Sequence, residues 1–511
     1  MSDSILDAPL HAFPGGLRLD HHKTAACESP PARAPLPERL YLPLVDRRGQ
    51  PVEACVREGD RVARGEVLIQ ASSDFELTTH APTSGRIGPV EFRPAVWPPG
   101  HELPCLSLIA DGEDRAAEPR PLDDWQSLDR DRLVDQLRDA GLAGLGGAAF
   151  PTAAKLRGDW DSLDTLILNG AECEPWIACD EALMRSRAEA IVLGGQILAR
   201  ACGARELILA IEDPLRETES RLHRAMAGVE AGLPMRLVKV PSLYPEGGER
   251  QLIQVLTGRE VPFDGLPQDL GVLVHNVATA AAAHDAVVLG LPLTERIVTV
   301  TGPGIASPCN LIARIGTPIA HLLETAGGLS DDCTRLILGG PMSGTALVSD
   351  RIPVTKGTNC LLALTEAELQ PRRPVMPCIN CGECVRVCPA RLLPQQLYRL
   401  IEGERLEAAA ELDLFDCIEC GCCAQVCPSQ IPLVDWYRHG KAERRIQLLD
   451  QRRAALARRR HEAREKRLAI EEAEREARRE RRRQKLAQGD QARNEIQAAI
   501  ERARARKRGA D

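Results

Sequence analysis

Apolar positions between residues 130 and 290 keep changing their period. "DRLVDQLRDAG" (131–141) repeats them at helical spacing and stops on Gly141, a C-capping glycine. "TLILNG" (165–170), "ELILAIED" (206–213), "MRLVKV" (235–240) and "GVLVHNV" (271–277) read as strands. Helical stretches separate them: "EALMRSRAEAIVLGGQILARACGA" (181–204) as one long helix, then "PLRETESRLHRAMAG" (214–228), "GERQLIQVLTG" (248–258) and "TAAAAHDAVVLG" (279–290). Strands alternating with helices predict an α/β domain with a mostly parallel sheet over residues 121–293.

The flanks follow other patterns. Residues 40–110 hold short apolar runs among Gly, Pro and Val. "ACVREGDRVARGEVLIQASS" followed by "THAPTSGRIGPV" predicts a barrel-sandwich module of the biotinyl/lipoyl type within residues 1–120, turning at Gly59-Asp60 and Ser84-Gly85. The lysine that carrier domains modify is absent, since "SSDFELTTH" occupies its turn, so the barrel is expected to be structural. Over 294–370, "ERIVTVTGPG" and "RLILGGPMSG" flank the short helix "PIAHLLETAGG", predicting a β-grasp-like module that packs between domains. "PQQLYRLIEGERLEAAAEL" (394–412) reads as two short helices inside a segment spanning 371–440. From 441 to 511, opposite charges recur at i,i+3 and i,i+4, as in a solvated helix, and apolar positions are too sparse for a coiled-coil seam. At 511 residues the chain exceeds one core, and the fold class expected is multidomain α/β.

Composition narrows the partners. Aromatic residues are only 3% of the chain, which argues against a base-stacking surface and hence nucleic acid. The tail from Lys441 holds 24 of the 65 Lys/Arg but 13 of the 73 Asp/Glu, so a basic tail follows an acidic body. That tail is either an isolated helix or a docking element for an anionic membrane surface. "MSDSILDAPLHAF" has no basic start and apolar run, and the most apolar stretch is broken by His275, Asn276, His284 and Asp285. A cytoplasmic protein without a membrane span is expected.

Eight of the 18 cysteines form two identical runs, Cys378, Cys381, Cys384, Cys388, Pro389 and Cys417, Cys420, Cys423, Cys427, Pro428. Both spell C-x-x-C-x-x-C-x-x-x-C-P, the established run of two-cluster ferredoxins, in which the fourth cysteine ligates the other cluster. Cys378, Cys381, Cys384 and Cys427 are thus assigned to one 4Fe–4S cluster, and Cys417, Cys420, Cys423 and Cys388 to a second. A pair of zinc sites is the alternative, but zinc needs neither this tight spacing nor the proline. Cys422 falls off the run and is read as a non-ligand thiol.

Three loops stand where parallel sheets bind ligands, at strand C-terminal ends and helix N-termini. "GLGGAAFPT" (144–152) carries Gly144, Gly146 and Gly147, with Lys155 one turn into the next helix. "NGAECEPWIACD" (169–180) carries Asn169, Glu172 and Glu174, and "YPEGGERQ" (244–251) precedes a helix. Together they point to a nucleotide or flavin site.

These loops, "HNVAT" and the two cysteine runs, in this order, resemble the RnfC family, the C subunits of the Rnf ion-translocating electron-transport complex (a ferredoxin–NAD oxidoreductase), over about residues 10–440. "FPGGLRLDHHK" is similar to a divergent form of that family's opening motif. The α/β part also resembles the flavin-bearing, NADH-oxidising subunit of respiratory complex I. The resemblance implies non-covalent FMN and NAD(H) as substrate. Gly144, Gly146, Gly147 and Lys155 would face the flavin. Asn169, Glu172 and Glu174 would line the flavin–nicotinamide space. Gly248 and Glu249 match a Gly-Glu pair, and Asn276 and Thr279 an Asn-x-x-Thr near the phosphate. No side chain is expected to act as a catalytic acid or base. Leu145, Ala171 and Arg250 depart from the family pattern.

The implied role is a peripheral electron-transfer subunit on the cytoplasmic side of the bacterial inner membrane. It would pass electrons between NAD(H), FMN and two 4Fe–4S clusters, coupled to ion transport, with integral-membrane and flavoprotein subunits as partners. A cluster-bearing scaffold without nucleotide chemistry and a stand-alone soluble NADH-dependent reductase are the alternatives.

Overall fold

A computed structural model describes residues 9–508 apart from 47, 97, 159–162, 214, 230–231 and 370–372. The start of the chain and the expected junction at 370 and 371 lie outside the described residues.

After α1 (Thr24–Cys27) and β1 (Ala32–Arg33) come β2 (Arg39–Pro43), β3 (Arg61–Val62), β4 (Val67–Ile69), β5 (Thr79–His80), β6 (Gly85–Pro94) and β7 (Glu102–Ala110). Strands β2, β7, β6 and β3 form an antiparallel sheet in that order, and β4 pairs with β5. Leu40, Leu42, Leu68, Ile87 and Leu108 close its core. Gly59 turns before β3 with φ of +93°, a conformation that suits glycine. The expected Ser84-Gly85 turn is displaced: Gly85 already belongs to β6. A Cβ there would sit 2.1 Å from the Ile109 carbonyl oxygen, so strand approach requires this glycine.

The α/β domain contains α2 (Arg130–Asp139), α3 (Thr152–Leu156), β8 (Thr165–Gly170), α4 (Cys179–Ser186), α5 (Ala188–Cys202), β9 (Glu206–Glu212), α6 (Arg216–Ala227), β10 (Met235–Val240), α7 (Glu249–Thr257), β11 (Val272–Asn276) and α8 (Val277–Val287). The sheet order is β10-β9-β8-β11, and every pairing is parallel. Alternation along the strands divides the core. Leu166, Leu168, Leu207 and Leu209 pack with the α5–α8 side, while Ile167, Ile208, Val238 and Val274 pack with Leu252, Ile253 and Leu256 of α7.

The single helix expected over 181–204 is two helices. Arg187 leaves helical geometry (φ −136°, ψ 38°) between α4 and α5. Its guanidinium grips both carboxylate oxygens of Asp285 on α8, at 2.8 and 2.6 Å. Local periodicity is the same on both sides of the break, so nothing in the sequence nearby announces this distant partner.

Next come β12 (Glu295–Thr301), β13 (Cys309–Arg314), α9 (Ile319–Thr325), β14 (Cys333–Leu338), β15 (Thr345–Ala346) and β16 (Cys360–Thr365). Their sheet runs β1-β13-β12-β16-β14-β15, so β1 from the N-terminal segment pairs in parallel with β13. Helix α9 covers it through Ile319, Leu322 and Leu323. Buried Lys356 joins three modules. Its amine donates to the carbonyls of Thr78 in the barrel and Gly141 in the α/β domain, at 2.8 and 2.7 Å. Burial pushes its pKa down to about 7.

The last module holds α10 (Glu383–Arg386), α11 (Pro394–Glu402), α12 (Leu406–Glu411), α13 (Cys422–Gln425) and α14 (Leu433–Arg508). Leu397, Ile401, Leu406, Leu414, Leu433 and Tyr437 form its core. Helix α14 is 76 residues long; its first turns pack through Tyr437, Lys441 and Arg444, and residues 451–507 are exposed throughout. No helix among the described residues is long and apolar enough to cross a membrane.

A Cβ on Gly194 of α5 would lie 1.7 Å from the Ala280 carbonyl oxygen on α8. Gly194→Ala should therefore destabilise the α/β domain by about 1–3 kcal/mol, although alanine is the better helix former by about 1 kcal/mol. A lowered denaturation midpoint checks this.

Candidate functional site

The C-terminal ends of β8 and β11 open into a cleft of about 1130 Å³, lined by residues that include Gly144, Gly146, Lys155, Asn169, Glu249 and Asn276. A second hollow of about 500 Å³ shares Gly146, Asn169, Gly247, Glu249 and Asn276 with it. That hollow continues past Glu172, Glu174, Gly248 and Tyr244 to Ile418, Glu419 and Cys420 of the cysteine module. One space thus reaches from the glycine loop to the second cysteine run.

Short polar bonds hold the loops. Asn276 caps α8, its side-chain oxygen accepting from Ala278 N at 2.8 Å, and its amide donates to Asp180 at 2.5 Å. Asn169 donates to the Gly247 carbonyl at 2.8 Å and accepts from Ala171 N at 3.0 Å. Thr279 is buried away from the cleft: its hydroxyl accepts from Leu145 N at 2.9 Å and so anchors the glycine loop from behind. Lys155 donates to Glu249 and to the Val274 carbonyl, both at 2.6 Å. Gly147 has φ of +115°, which a β-carbon would strain.

Both loop glutamates are already engaged by protein donors. Glu172 accepts from Asp180 N at 3.0 Å and Glu181 N at 3.4 Å at the start of α4. It also lies 3.9 Å from Lys23. Glu174 accepts from Met342 N (2.7 Å), Ser343 N (3.0 Å) and the Ser343 hydroxyl (2.9 Å) of the β14–β15 loop. In the structure these carboxylates therefore hold loops together.

Several site residues were not legible in the sequence. Lys23, in the opening "FPGGLRLDHHK", is buried and bonds the Glu172 carbonyl and, at 3.4 Å, Glu212. Buried Asp180 has its pKa pushed up to about 7 by desolvation, with the Glu172 charge adding to it. Tyr244 donates its hydroxyl to the Cys420 carbonyl at 2.7 Å, bridging two modules. Glu246 is 1% exposed with neither carboxylate oxygen bonded, and burial pushes its pKa up to about 8. The "YPEGGERQ" motif marks Tyr244 and Glu246 as loop residues but says nothing of their burial.

The departures from the family pattern acquire structural roles. Arg250 reaches Asp416 of the cysteine module at 3.5 Å. Leu145 is buried, and its carbonyl accepts from Arg296 at 3.1 Å. The Ala171 carbonyl lies 2.1 Å from where a Gly247 Cβ would stand.

The cysteines gather in two sets. Cys378, Cys381, Cys384 and Cys427 line one small, mostly apolar hollow, and Cys388, Cys417, Cys420 and Cys423 line another. Four thiols around a dry hollow suit an iron–sulfur cluster. Cys422 is fully buried beside them. The large cleft suits a flavin by a different criterion. A Cβ at Gly144 or Gly146 would make only ordinary contacts, 3.6 and 3.5 Å from the nearest atoms, so chain packing does not demand glycine there. The space is left for something outside the chain, and its volume matches cofactor sites, about 300–1,000 Å³.

Comparison with known proteins agrees with this division. Residues 11–113 match the RnfC barrel sandwich hybrid domain, 137–285 the Nuo51 FMN-binding domain, 297–346 the SLBB domain and 377–431 a 4Fe-4S dicluster domain. The chain is 44% identical to the C subunit of the ion-translocating oxidoreductase complex of Pseudomonas aeruginosa, with 98% of this chain and 66% of that protein covered. It is 43% identical to the corresponding proteins of Erwinia tasmaniensis (97% and 61%) and of Yersinia pestis (96% and 78%). The chain thus spans less than two thirds of the length of the first two. Among solved structures, an NAD+-reducing [NiFe]-hydrogenase in the H2-reduced state is 20% identical with a TM-score of 0.45, covering 60% of this chain and 62% of that one. The chain accordingly carries an FMN-binding domain and a 4Fe–4S dicluster domain.

Cys388→Ala should remove iron from the cluster that includes Cys417, Cys420 and Cys423 while the other cluster keeps its signal. Iron analysis and electron paramagnetic resonance of the reduced chain check this. Glu246→Gln tests the buried carboxyl. The folded value, about 8, lies above the unfolded one, about 4.3. The folded chain therefore holds the extra proton between these values, and stability falls as pH rises through that window. The glutamine variant should lose this decline, seen by comparing denaturation midpoints at about pH 6 and about pH 8.5.

Proposed function

The chain belongs to the RnfC family, the C subunits of ion-translocating oxidoreductase complexes, and we propose that it is the complex's peripheral electron-transfer subunit, acting on NAD(H). The observation that carries this reading is the continuous hollow from Gly146 and Asn276 to Cys420. A two-electron donor site and a one-electron centre share one enclosed space. FMN, when bound, supplies the exchange between hydride transfer and single-electron steps.

The chain's own residues bind, orient and exclude water. Gly144 and Gly146 offer bare backbone to the cofactor. Lys155 supplies positive charge at the cleft, balanced by Glu249. Thr279 fixes the glycine loop, and Asn276 with Asn169 ties the ends of β11 and β8 to the neighbouring loops. Glu172 and Glu174 act as positioning residues for the loops that close the hollow. Cys378, Cys381, Cys384 and Cys427 would hold one cluster, and Cys388, Cys417, Cys420 and Cys423 the other. No side chain is needed as an acid or base for hydride transfer.

The complex's integral-membrane and flavoprotein subunits are the proposed partners, with the chain on the cytoplasmic face of the inner membrane. The exposed part of α14 carries the tail's excess of Lys/Arg, which suits an anionic surface; each such residue near one contributes about 1 kcal/mol, screened by salt. Lys441 donates to Glu419 at 2.8 Å and also to the Cys417 carbonyl, so the tail's first turns belong to the cysteine module. Deleting residues 451–511 should weaken salt-sensitive membrane association and leave cluster spectra unchanged. Equal membrane recovery of both forms at low salt would remove the docking role.

Gly146→Val should abolish FMN retention and NADH oxidation while both clusters remain reducible by dithionite. The absorbance of the purified chain separates this reading from a bare scaffold, which would lack flavin bands altogether. Full NADH-dependent cluster reduction in the valine variant would take this loop out of the site.

A further inference from the structure

The two cysteine runs are internal copies in backbone as well as spelling. Asn380 and Glu419 are left-handed at φ of +56° and +59°, Gly382 and Gly421 at +80° and +82°. Each run then enters a four-residue helix, α10 or α13. Their surroundings differ at every matched position. Ile418 lines the closed hollow, whereas Ile379 is 67% exposed. The Cys420 carbonyl is capped by Tyr244, whereas Cys381 is exposed. A Cβ on Gly421 would stand 3.1 Å from the Met342 carbonyl oxygen, whereas one on Gly382 would meet nothing within 4 Å. The second copy is covered by the 244–250 and 340–343 loops, and the first is bare.

The geometry points to the bare copy as a docking face for a protein that carries a one-electron redox centre and an acidic rim. This rests on the electron-transfer reading above. The covered copy shows what such a cover does: it brings a redox site against the cluster edge and excludes water. Beside the bare copy, Val375 and Met376 are 58% and 55% exposed, forming an apolar strip with Ile379. Arg373, Arg386 and Arg399 are exposed around it. Glu383 pairs with Arg386, and Arg399 commits one donor to Asn380, at 3.0 Å. The remaining excess of positive charge favours an acidic partner. The order follows: the cluster with Cys420 faces the flavin cleft, and the cluster with Cys381 faces the partner. One electron crosses this face per encounter, the cluster and the partner's centre changing by one in opposite senses.

The double variant Val375→Asp/Arg386→Glu tests the face, because neither residue lines a cysteine hollow. In the isolated full chain both dithionite-reduced cluster signals and NADH-dependent flavin bleaching should match the parent. In membranes holding the assembled complex, electron exchange between this chain and the other subunits should fall at least about tenfold. A parental rate in those membranes overturns the docking face. The order has its own test in the isolated chain, with the flavin reduced by light and deazaflavin. Cys420→Ser should leave the Cys381 cluster reducible by dithionite yet slow to follow the flavin; unchanged kinetics overturn the order. If the parent flavin is not bleached by NADH, the assignment of NAD(H) falls instead, and neither of these two readouts depends on it.

Discussion

The carboxylate of Glu174 is the fastening on which the site depends. It leaves the α/β domain on the loop after β8 and takes three donors from residues 342–343 of another sheet. Gly340 must be glycine for this, since a Cβ there would lie 2.1 Å from the Glu174 side chain. The same loop sets the Met342 carbonyl against Gly421. One buried anion thus fixes the flavin loop, the SLBB domain and the second cysteine run relative to each other. Hydrogen bonds to a charged group contribute about 1.5–3 kcal/mol each, and leaving those backbone donors buried without an acceptor costs about as much again. Such a junction stays closed, which electron transfer over a fixed gap requires.

Other fastenings act alongside it. The opening segment threads between modules: Gly16 N bonds the Val387 carbonyl at 3.0 Å, and Leu17 exchanges two backbone bonds with Tyr244. Gly15 lies so close to Val387 that a Cβ would stand 2.5 Å from its carbonyl carbon. Lys356 repeats the logic at the opposite end of the α/β domain. These contacts make the modules one body around the cleft, while the Cys381 side of the cysteine module is left free. That asymmetry separates an internal redox junction from an external one.

The substitutions relative to the complex I pattern fit this architecture. Arg250 stands where that family has a glutamate and here binds Asp416 on the cysteine module. A chain that carries its own pair of clusters needs a seam at this point, and a cation there supplies one. The acidic residues that look like substrate ligands by motif serve mostly to hold the enclosure, leaving the glycine loop, Lys155 and the two asparagines to face the cofactor.

Spacing and periodicity were legible without any structure. Cysteines three and four residues apart dictate cluster chemistry because the chelating geometry is local. The strand and helix pattern of residues 165–287 dictates the parallel sheet, because each element must bury its own apolar face. The glycines of 144–147 mark close approach for the same local reason. Contacts between residues far apart in the chain emerged only on folding. Glu174 and Met342 are 168 positions apart, and Lys23 and Glu172 are 149 apart. Arg187 breaks a helix for a carboxylate 98 residues away. β1 joins a sheet whose other strands begin at residue 295. Which of two identically spelled cysteine runs is covered was likewise invisible, since burial is a property of neighbours and the two runs differ only in theirs.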